Sequence, residues 1–431
     1  MSATVPAPTA SLRTPEVHKG LLLALLAMSQ FVVVLDASIT NVALPSIGRA
    51  LDMSQDGLSW VVNAYTLTFG GFLLLGGRLA DILGRRRIYM AGLILFAVAS
   101  LVGGIAQSEG MLIASRAVQG LGAALLSPAA LSILTATFRE GAERNRALGV
   151  WGAVAGSGGA IGVLLGGLLT EYLSWRWVLL VNVPIAALAV VAAPRIAPES
   201  RDESAQGKGF DAAGAIAVTA GLAVLIYALV DANDAGWGSS QTIGLLAAAV
   251  ILLASFVVIE LRTAAPLVPF SFFRSRTRTG ADLTGLLIGA SLFSMFFFVS
   301  LYMQQVLGWD ALKSGLSYLP LGITIIISAG LASQLVTKVG FKPVVITGLL
   351  FVAAGLFWFS KVSPGGTFLA DVLGPSLLAA VGLGFSFVPV TIGGTHGVAG
   401  EEAGLASGLL NASQQVGGAI ELAVLGAIAT A

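Results

Sequence analysis

Long apolar runs separated by short polar connections repeat along almost the entire chain. A helix that crosses a bilayer needs roughly 20 mostly apolar residues, and by that measure the pattern predicts about thirteen membrane-spanning helices. We place them at residues 20–44, 58–76, 88–106, 111–138, 147–169, 177–191, 212–230, 242–260, 281–306, 315–336, 344–359, 368–390 and 405–429. The fold class that follows is an all-α membrane protein.

The composition supports a membrane location. Of the 431 residues, 56% are hydrophobic and 10% are charged, and the mean hydropathy is +0.91. Soluble domains carry about 25% charged residues. We therefore predict a multi-pass protein of the cell membrane, in contact with the lipid bilayer. The first apolar run is too long for a cleaved signal peptide and contains Asp36, so we expect it to remain as a span.

Lysine and arginine residues are concentrated in alternate connections, among them residues 85–87, 139–146, 274–278 and 338–342. Connections of this kind stay on the cytoplasmic side of a membrane. The alternation therefore predicts a cytoplasmic N-terminus, and it supports the number of spans because a missed span would invert every later loop.

Two longer polar stretches, residues 194–211 and 260–280, enclose a pair of spans. We therefore predict an N-terminal six-helix bundle at residues 1–192. Cytoplasmic linkers with two inserted spans follow at residues 193–280, and a C-terminal bundle of five spans occupies residues 281–431.

An internal repeat suggests that the two bundles are pseudo-symmetric. The connection after the second span aligns with the connection after the second span of the last group, so that Gly84 matches Gly340 and Asp81 lies opposite Thr337. Related helical bundles are how many transporters build alternating access to a central site.

Several functional classes are excluded by what the sequence contains. It has no cysteine, 2 histidines and a net charge of +1. Disulfides, thiol catalysis and cysteine-bound metals are therefore ruled out, and a nucleic-acid partner is not expected. HExxH, GxSxG and P-loop patterns are also missing from the sequence. We expect neither an enzyme nor a metal site or cofactor.

Asp36 lies inside the first apolar run, followed by Asn41 and by Pro45, which we expect to end the helix. A carboxylate in hydrocarbon costs several kcal/mol unless it is hydrated, paired or protonated, so by default it marks an ion or substrate pathway. The alternative is a polar cluster that serves helix packing. We expect Asp36 to face a central cavity.

Three other polar residues lie deep in predicted spans. Arg116 and Gln119 share the fourth span, and Glu421 lies in the last one. Arg116 needs water or an acidic or carbonyl partner, and it can be either a proton-coupling residue or a structurally paired one. Glu421 is either a second protonatable site or a neutral hydrogen-bonded acid. For Asp282 and Glu260, near span ends, we expect solvation at the interface.

The connection that begins at Gly77 combines Asp81, Gly84, Arg85 and Arg86. Its glycines and acid at this spacing resemble the signature loop of the major facilitator superfamily. The resemblance implies that the loop locks the two bundles together on the cytoplasmic side and is released during transport. The arginines alone would fit a simple topological signal.

Glycines of the fifth span form one smooth helix face, at Gly158, Gly162, Gly166 and Gly167. Such a face permits close helix approach, and packing alone would explain it as well as gating. The stretch resembles the fifth-span motif of the superfamily's antiporters, although Val163 replaces the usual proline. The segment around Arg116 likewise resembles the family's fourth-span motif, which is implicated in proton coupling.

Taken together, the chain resembles the fourteen-span drug:proton antiporter branch of that superfamily. The printed sequence ends after about thirteen spans, so the resemblance implies that the last span is missing. It also implies monomeric, proton-coupled export of hydrophobic small molecules by alternating access, with the proton gradient as energy source. The alternatives are export of a self-made metabolite, peptide or lipid, a nutrient symporter, and a non-transporting membrane sensor.

Overall fold

The computed structural model describes residues 18–200, 211–263, 266–398 and 402–430, and all regular structure in these ranges is helical. The α-helices are α1 (Lys19–Leu51), α2 (Gln55–Leu83), α3 (Arg85–Gly104), α4 (Glu109–Thr137), α5 (Ala142–Tyr172), α6 (Trp177–Leu180), α7 (Asn182–Ile196), α8 (Ala212–Ala235), α9 (Ser240–Arg262), α10 (Arg276–Leu301), α11 (Ala311–Ser317), α12 (Leu319–Val339), α13 (Phe341–Phe359), α14 (Gly374–Gly394) and α15 (Ala403–Thr430). A 3₁₀ turn (Phe270–Arg274) precedes α10, and π-helical turns follow α10 (Tyr302–Val306) and precede α14 (Phe368–Leu373).

Eleven of the described helical stretches are long and apolar enough to cross a membrane. Helices α10 and α15, with 26 and 28 residues, also exceed the roughly 20 residues that a span needs. The all-helical prediction is confirmed, and the helices agree with about thirteen predicted spans. The division into residues 1–192, 193–280 and 281–431 stays a prediction.

Two details of the first and sixth spans differ from expectation. Helix α1 continues through Pro45 to Leu51, although Pro45 was expected to end it. A proline removes one backbone hydrogen bond, and membrane helices accept this loss when neighbouring groups satisfy the freed carbonyl. The sixth span is divided at Val181 into α6 and α7, so that Asn182 begins a new helix.

Glycines determine how closely α3 and α4 pack. A Cβ atom on Gly92 of α3 would lie 2.7 Å from the backbone nitrogen of Leu126. One on Gly122 of α4 would lie 2.7 Å from the backbone nitrogen of Phe96. Neither position has room for a side chain, so the two backbones are in direct contact.

The two halves of the chain meet along two helix pairs. Helix α2 packs against α15, and α5 packs against α12. In each pair the second spanning helix of one half contacts the fifth of the other half, as expected for two pseudo-symmetric bundles. Inserted helix α8 packs against α2 and α15, whereas only 11% of the most apolar part of α9 is buried. Helix α9 is therefore suited to contact lipid.

We predict that Gly92→Val destabilises the protein, because the added side chain forces α3 away from α4. Overpacking of a close contact costs typically about 1–3 kcal/mol. Thermal unfolding of the purified protein in detergent should occur at a lower temperature. Gly244→Val is the matched control, because a Cβ on Gly244 of exposed α9 has no heavy atom within 4 Å. Equal unfolding temperatures for the two variants would contradict the contact.

Candidate functional site

Asp36 lies in α1 with no exposed surface, and three side chains donate hydrogen bonds to its carboxylate. Arg116 Nη1 lies 2.5 Å from Oδ2. Gln119 Nε2 and Asn182 Nδ2 each lie 2.7 Å from Oδ1. The donors come from α4 and from the first residue of α7, so the carboxylate joins three helices.

Arg116 is held by further groups besides Asp36. Its Nε donates to the carbonyl oxygen of Val61 in α2 at 3.0 Å, and its Nη1 donates to Gln119 Oε1 at 2.6 Å. Its guanidinium carbon also lies 4.4 Å from the centre of the Tyr65 ring. The guanidinium is thus satisfied entirely by protein groups, as a permanently charged side chain in hydrocarbon requires.

Sequence reasoning missed three members of this cluster. Asn182 binds the carboxylate directly, Ser100 Oγ accepts a 2.8 Å hydrogen bond from Gln119 Nε2, and the Tyr65 ring stacks on Arg116. A polar amide inside the apolar 177–191 span was the available signal for Asn182. Ser100 and Tyr65 gave no comparable signal, because both are common in ordinary packing.

Two predicted members lie outside this cluster. Asn41 is exposed on α1, because five residues of helix turn its side chain to the opposite side from Asp36. Glu421 is half-buried near the far end of α15, whereas the described donors to Asp36 lie on α4 and α7. The cavity expected at Asp36 also differs from the structure, in which protein donors enclose the carboxylate.

The predicted glycine face of α5 packs against α1 on either side of Asp36. A Cβ on Gly158 would lie 2.8 Å from Val34, and one on Gly166 would lie 2.8 Å from the carbonyl oxygen of Ile39. Gly162 similarly has no room for a Cβ beside Ser38, and Gly167 is buried. The face therefore serves as a close contact in this conformation.

A second glycine face of α5 contacts the other half of the chain. A Cβ on Gly149 would lie 2.7 Å from Ser333 of α12, and one on Gly152 would lie 3.0 Å from Val388 of α14. Helix α5 therefore has smooth surfaces towards both halves, whereas the sequence pattern suggested one face only.

Asp81, at the end of α2, joins the two halves. Its carboxylate accepts hydrogen bonds from the backbone nitrogens of Gly404 at 3.0 Å and Leu405 at 3.1 Å, at the start of α15. Arg85 Nη2 lies 2.9 Å from the same carboxylate. A carboxylate at a helix N-terminus satisfies free N–H groups and the positive end of the helix dipole.

Glycines permit this contact and the turn that follows it. A Cβ on Gly77 would overlap the carbonyl oxygen of Gly404, so a larger residue would push α15 away. Gly84 adopts a φ of +111°, which residues with a Cβ rarely adopt. The backbone nitrogen of Arg86 then donates to Glu199 Oε1 at 3.1 Å, which holds the segment after α7 against this turn.

A mirrored contact joins α5 to α12. Asn145 Nδ2 donates to Thr337 Oγ1 at 3.0 Å, and Ser333 Oγ donates to the carbonyl oxygen of Asn145 at 2.7 Å. Thr337 is the residue that aligns with Asp81 in the internal repeat. We call the end of the molecule with these two contacts and residues 84–87, 139–146 and 338–342 the basic end. Both contacts close it.

A crevice of about 880 Å³ lies between the two halves, bounded by α1, α5 and α12. Its walls are mainly apolar and include Phe31, Val154 and Ile326, while Arg146 and Lys338 line it at the basic end. This volume is within the usual range of small-molecule sites, which is about 300–1,000 Å³.

Asp282 and Glu260 are buried, which contradicts the expected solvation of both. Their side chains are 7% and 4% exposed. Glu260 accepts hydrogen bonds from the backbone nitrogens of Leu267 and Val268, at 3.1 and 3.2 Å. Neither oxygen of Asp282 has a hydrogen-bond partner. Position near a span end does not reveal whether a neighbouring helix covers the residue.

These features together define a class of protein. Two related helical halves, an enclosed acid–base pair in a span and a crevice between the halves are typical of a secondary transporter of the membrane.

The comparisons with known proteins agree. Residues 26–420 match the Major Facilitator Superfamily. The chain is 39% identical to the puromycin resistance protein pur8 of Streptomyces alboniger, over 99% of this chain and 85% of that protein. It is 42% identical to the cephamycin export protein CmcT of Amycolatopsis lactamdurans, over 94% of this chain and 83% of that protein. The human organic anion transporter MFSD10 has a similar fold, with a TM-score of 0.69. The match covers 96% of this chain and 94% of that transporter, with 16% sequence identity.

The chain belongs to the Major Facilitator Superfamily. This assignment confirms the predicted fold, the multi-pass membrane location and the prediction of a transporter rather than an enzyme. The two curated relatives confirm the resemblance to the drug-exporting branch of the family.

We predict that Asp81→Asn weakens closure of the basic end. The variant loses the ion pair with Arg85 and leaves an N–H group of α15 poorly satisfied, at a cost of about 1–3 kcal/mol. Because the chain has no cysteine, closure can be measured by chemical cross-linking between Asn145→Cys and Thr337→Cys. These two replacements remove the Asn145–Thr337 hydrogen bond from every variant compared, so a difference in rate reports the Asp81 contact. Cross-linking should slow several-fold.

The matched control is Asp211→Asn. Asp211 also caps a helix N-terminus, because it accepts a hydrogen bond from the backbone nitrogen of Gly214 at 2.8 Å. This contact does not join the two halves of the chain. Cross-linking should keep its original rate in that variant. A similar rate with Asp81→Asn would show that the Asp81 contact does not hold the basic end closed.

Proposed function

We propose that this transporter exports hydrophobic small molecules, antibiotics among them, in exchange for protons. The observation that carries the proposal is the fully enclosed pair of Asp36 and Arg116 in the first half. The names of the relatives support an antibiotic substrate, since one is a puromycin resistance protein and another exports cephamycin.

Protonation of Asp36 and its ion pair with Arg116 exclude each other. When a proton binds the carboxylate, the guanidinium loses its counter-charge and the two side chains separate more easily. Asn182 suits both states, because its Nδ2 donates to the carboxylate while its buried Oδ1 has no partner. After the amide turns over, Oδ1 can accept a hydrogen bond from the protonated acid.

The ion pair links this proton to the movement of helices. Because Asp36 is on α1 and its donors are on α4 and α7, losing the charge loosens all three helices together. The glycine face of α5 lies directly against α1 on either side of Asp36, at Gly158 and Gly166. Helix α1 can therefore shift along α5 when Asp36 changes its protonation state.

The crevice between α5 and α12 is the proposed route of the substrate. Its apolar walls suit a hydrophobic molecule, and it opens between the two halves that alternating access would move. The basic end is the cytoplasmic end, so the N-terminus is cytoplasmic. The crevice reaches this end at Arg146 and Lys338, while the Asp81 and Asn145 contacts hold the two halves together there. The proton gradient supplies the energy, a single chain suffices, and no cofactor takes part.

A second candidate substrate class is a metabolite that the cell makes itself. The cephamycin export protein favours this class, since its name describes export of an antibiotic where that of pur8 describes resistance to one. Both classes use the same proton chemistry at Asp36. A substrate panel that includes compounds from neighbouring biosynthetic genes would separate them.

We predict that Asp36→Asn abolishes proton-driven export. The amide is similar in size and cannot take up a proton, so membrane insertion should be normal while the exchange stops. The measurement is movement of dyes and antibiotics in proteoliposomes with an imposed pH gradient. Asp310→Asn is the control, because exposed Asp310 only caps α11 through the Lys313 nitrogen. Full export by the Asp36 variant would remove this residue from the mechanism.

We also predict that Gly330→Leu slows export by filling the crevice. Gly330 lines the crevice, and a Cβ there has no heavy atom within 4 Å, so a side chain can begin at this position without displacing a neighbour. Export should fall several-fold, and more for larger substrates. Gly244→Leu adds the same side chain at an equally open position on α9 and should leave export unchanged. Equal export by both variants would place the substrate route elsewhere.

A further inference from the structure

Asp282 differs from the other buried acids that the structure describes. Asp36, Asp81 and Glu260 each accept at least two hydrogen bonds. Asp282 is 7% exposed, and neither of its carboxylate oxygens has a hydrogen-bond partner. An ionised carboxylate that is buried without partners costs several kcal/mol, whereas the neutral acid costs much less.

The position of Asp282 is fixed by the packing of α10 against α15. One turn further along α10, a Cβ on Gly285 would lie 3.3 Å from Leu410, and Gly289 contacts Gln414. Residues three and seven positions apart share a helix face, so Asp282 is on the same face of α10. It therefore lies near the first turns of α15, the segment whose nitrogens are held by Asp81 from the opposite half.

One cation is close to Asp282 on its own helix. Arg278 precedes it by one turn, with the guanidinium 4.3 Å from the centre of the Phe272 ring and Nε without a hydrogen-bond partner. Arg274 and Arg276 are exposed at the start of this region. A small rotation of Arg278 would bring its guanidinium from the Phe272 ring towards Asp282.

The helices that pack against α10 contribute little charge at this level. Residues 374–394 of α14 contain no charged side chain, and His396 after it faces the Phe341 ring. Among the described residues in and next to α15, those with a charge are Glu402 at its start and Glu421 near its far end, while Glu401 lies outside the described residues. Asp81 reaches the start of α15 from α2 and is already paired with Arg85.

We propose that Asp282 is a second proton-binding site, which holds a proton while the basic end is closed and releases it when that end opens. The inference rests on the proposed function and adds a proton site in the second half of the chain. On opening, water reaches Asp282, the carboxyl O–H bond breaks and the proton passes to that water. The electron pair stays on the carboxylate, which then pairs with Arg278.

Infrared spectroscopy of the purified full-length protein in lipid at neutral pH tests the proton directly. A protonated buried carboxyl has a C=O stretching band that a carboxylate lacks. We expect that band to be lost in Asp282→Asn and to remain in Asp36→Asn and in the exposed control Asp310→Asn. An unchanged spectrum for Asp282→Asn would overturn the proposal.

This readout needs no transport, so it separates the two proposals. Loss of the band in Asp282→Asn together with full export by Asp36→Asn would support the Asp282 site and reject the Asp36 mechanism. If Asp282→Asn does not express, Asp282→Ala serves instead, because a smaller neutral side chain leaves neither a carboxyl group nor a charge in the buried position.

Coupling to the basic end is tested with the cross-linking pair at positions 145 and 337. Raising the pH increases the thiolate fraction of both cysteines equally in every variant, so each rate is compared with that of Asp282→Asn at the same pH. In the chain that carries only the two cysteines, raising the pH should remove the proton from Asp282 and slow cross-linking several-fold relative to Asp282→Asn, while the two rates at neutral pH should be the same. Identical pH profiles with and without the substitution would show that Asp282 does not control opening, since Asp81 is present in both.

Discussion

A carboxylate and a guanidinium enclosed within the membrane-spanning helices impose the main constraint on this structure. Water does not reach them, so every donor and acceptor around Asp36 and Arg116 is a protein group. Meeting that requirement ties α1, α2, α4 and α7 into one unit. The second half of the chain meets the first half at separate contacts, between α2 and α15 and between α5 and α12.

The two contacts that join the halves at the basic end occupy pseudo-symmetric positions but differ in their chemistry. At the basic end, Asp81 and α15 are joined by a charged cap, whereas α5 and α12 are joined by two neutral hydrogen bonds, from Asn145 to Thr337 and from Ser333 to Asn145. A charge-assisted hydrogen bond is roughly twice as strong as a neutral one. Each hydrogen bond on the α5–α12 side is therefore the weaker kind, and this is the side on which the crevice lies.

The sequence predicted the spans and part of the site, for reasons that differ residue by residue. The fourth-span segment that resembles the family motif contains both Arg116 and Gln119, and the loop motif placed Asp81 and Gly77 at the junction of the halves. Asn182 could not be paired with Asp36, because that contact depends on how α7 packs against α1. The burial of Asp282 could not be predicted either. Hydropathy shows how far a residue lies from the end of its own helix, but it does not show whether a neighbouring helix covers that residue.

Helix α5 has glycine surfaces towards both α1 and the second half. Smooth surfaces of this kind lack the interlocking ridges that resist sliding between ordinary helices. Glycine also has a low helix propensity, so the helix that lies between the moving parts gains little stability from its own sequence. The stability of α5 therefore depends more on the helices packed against it than on its own sequence.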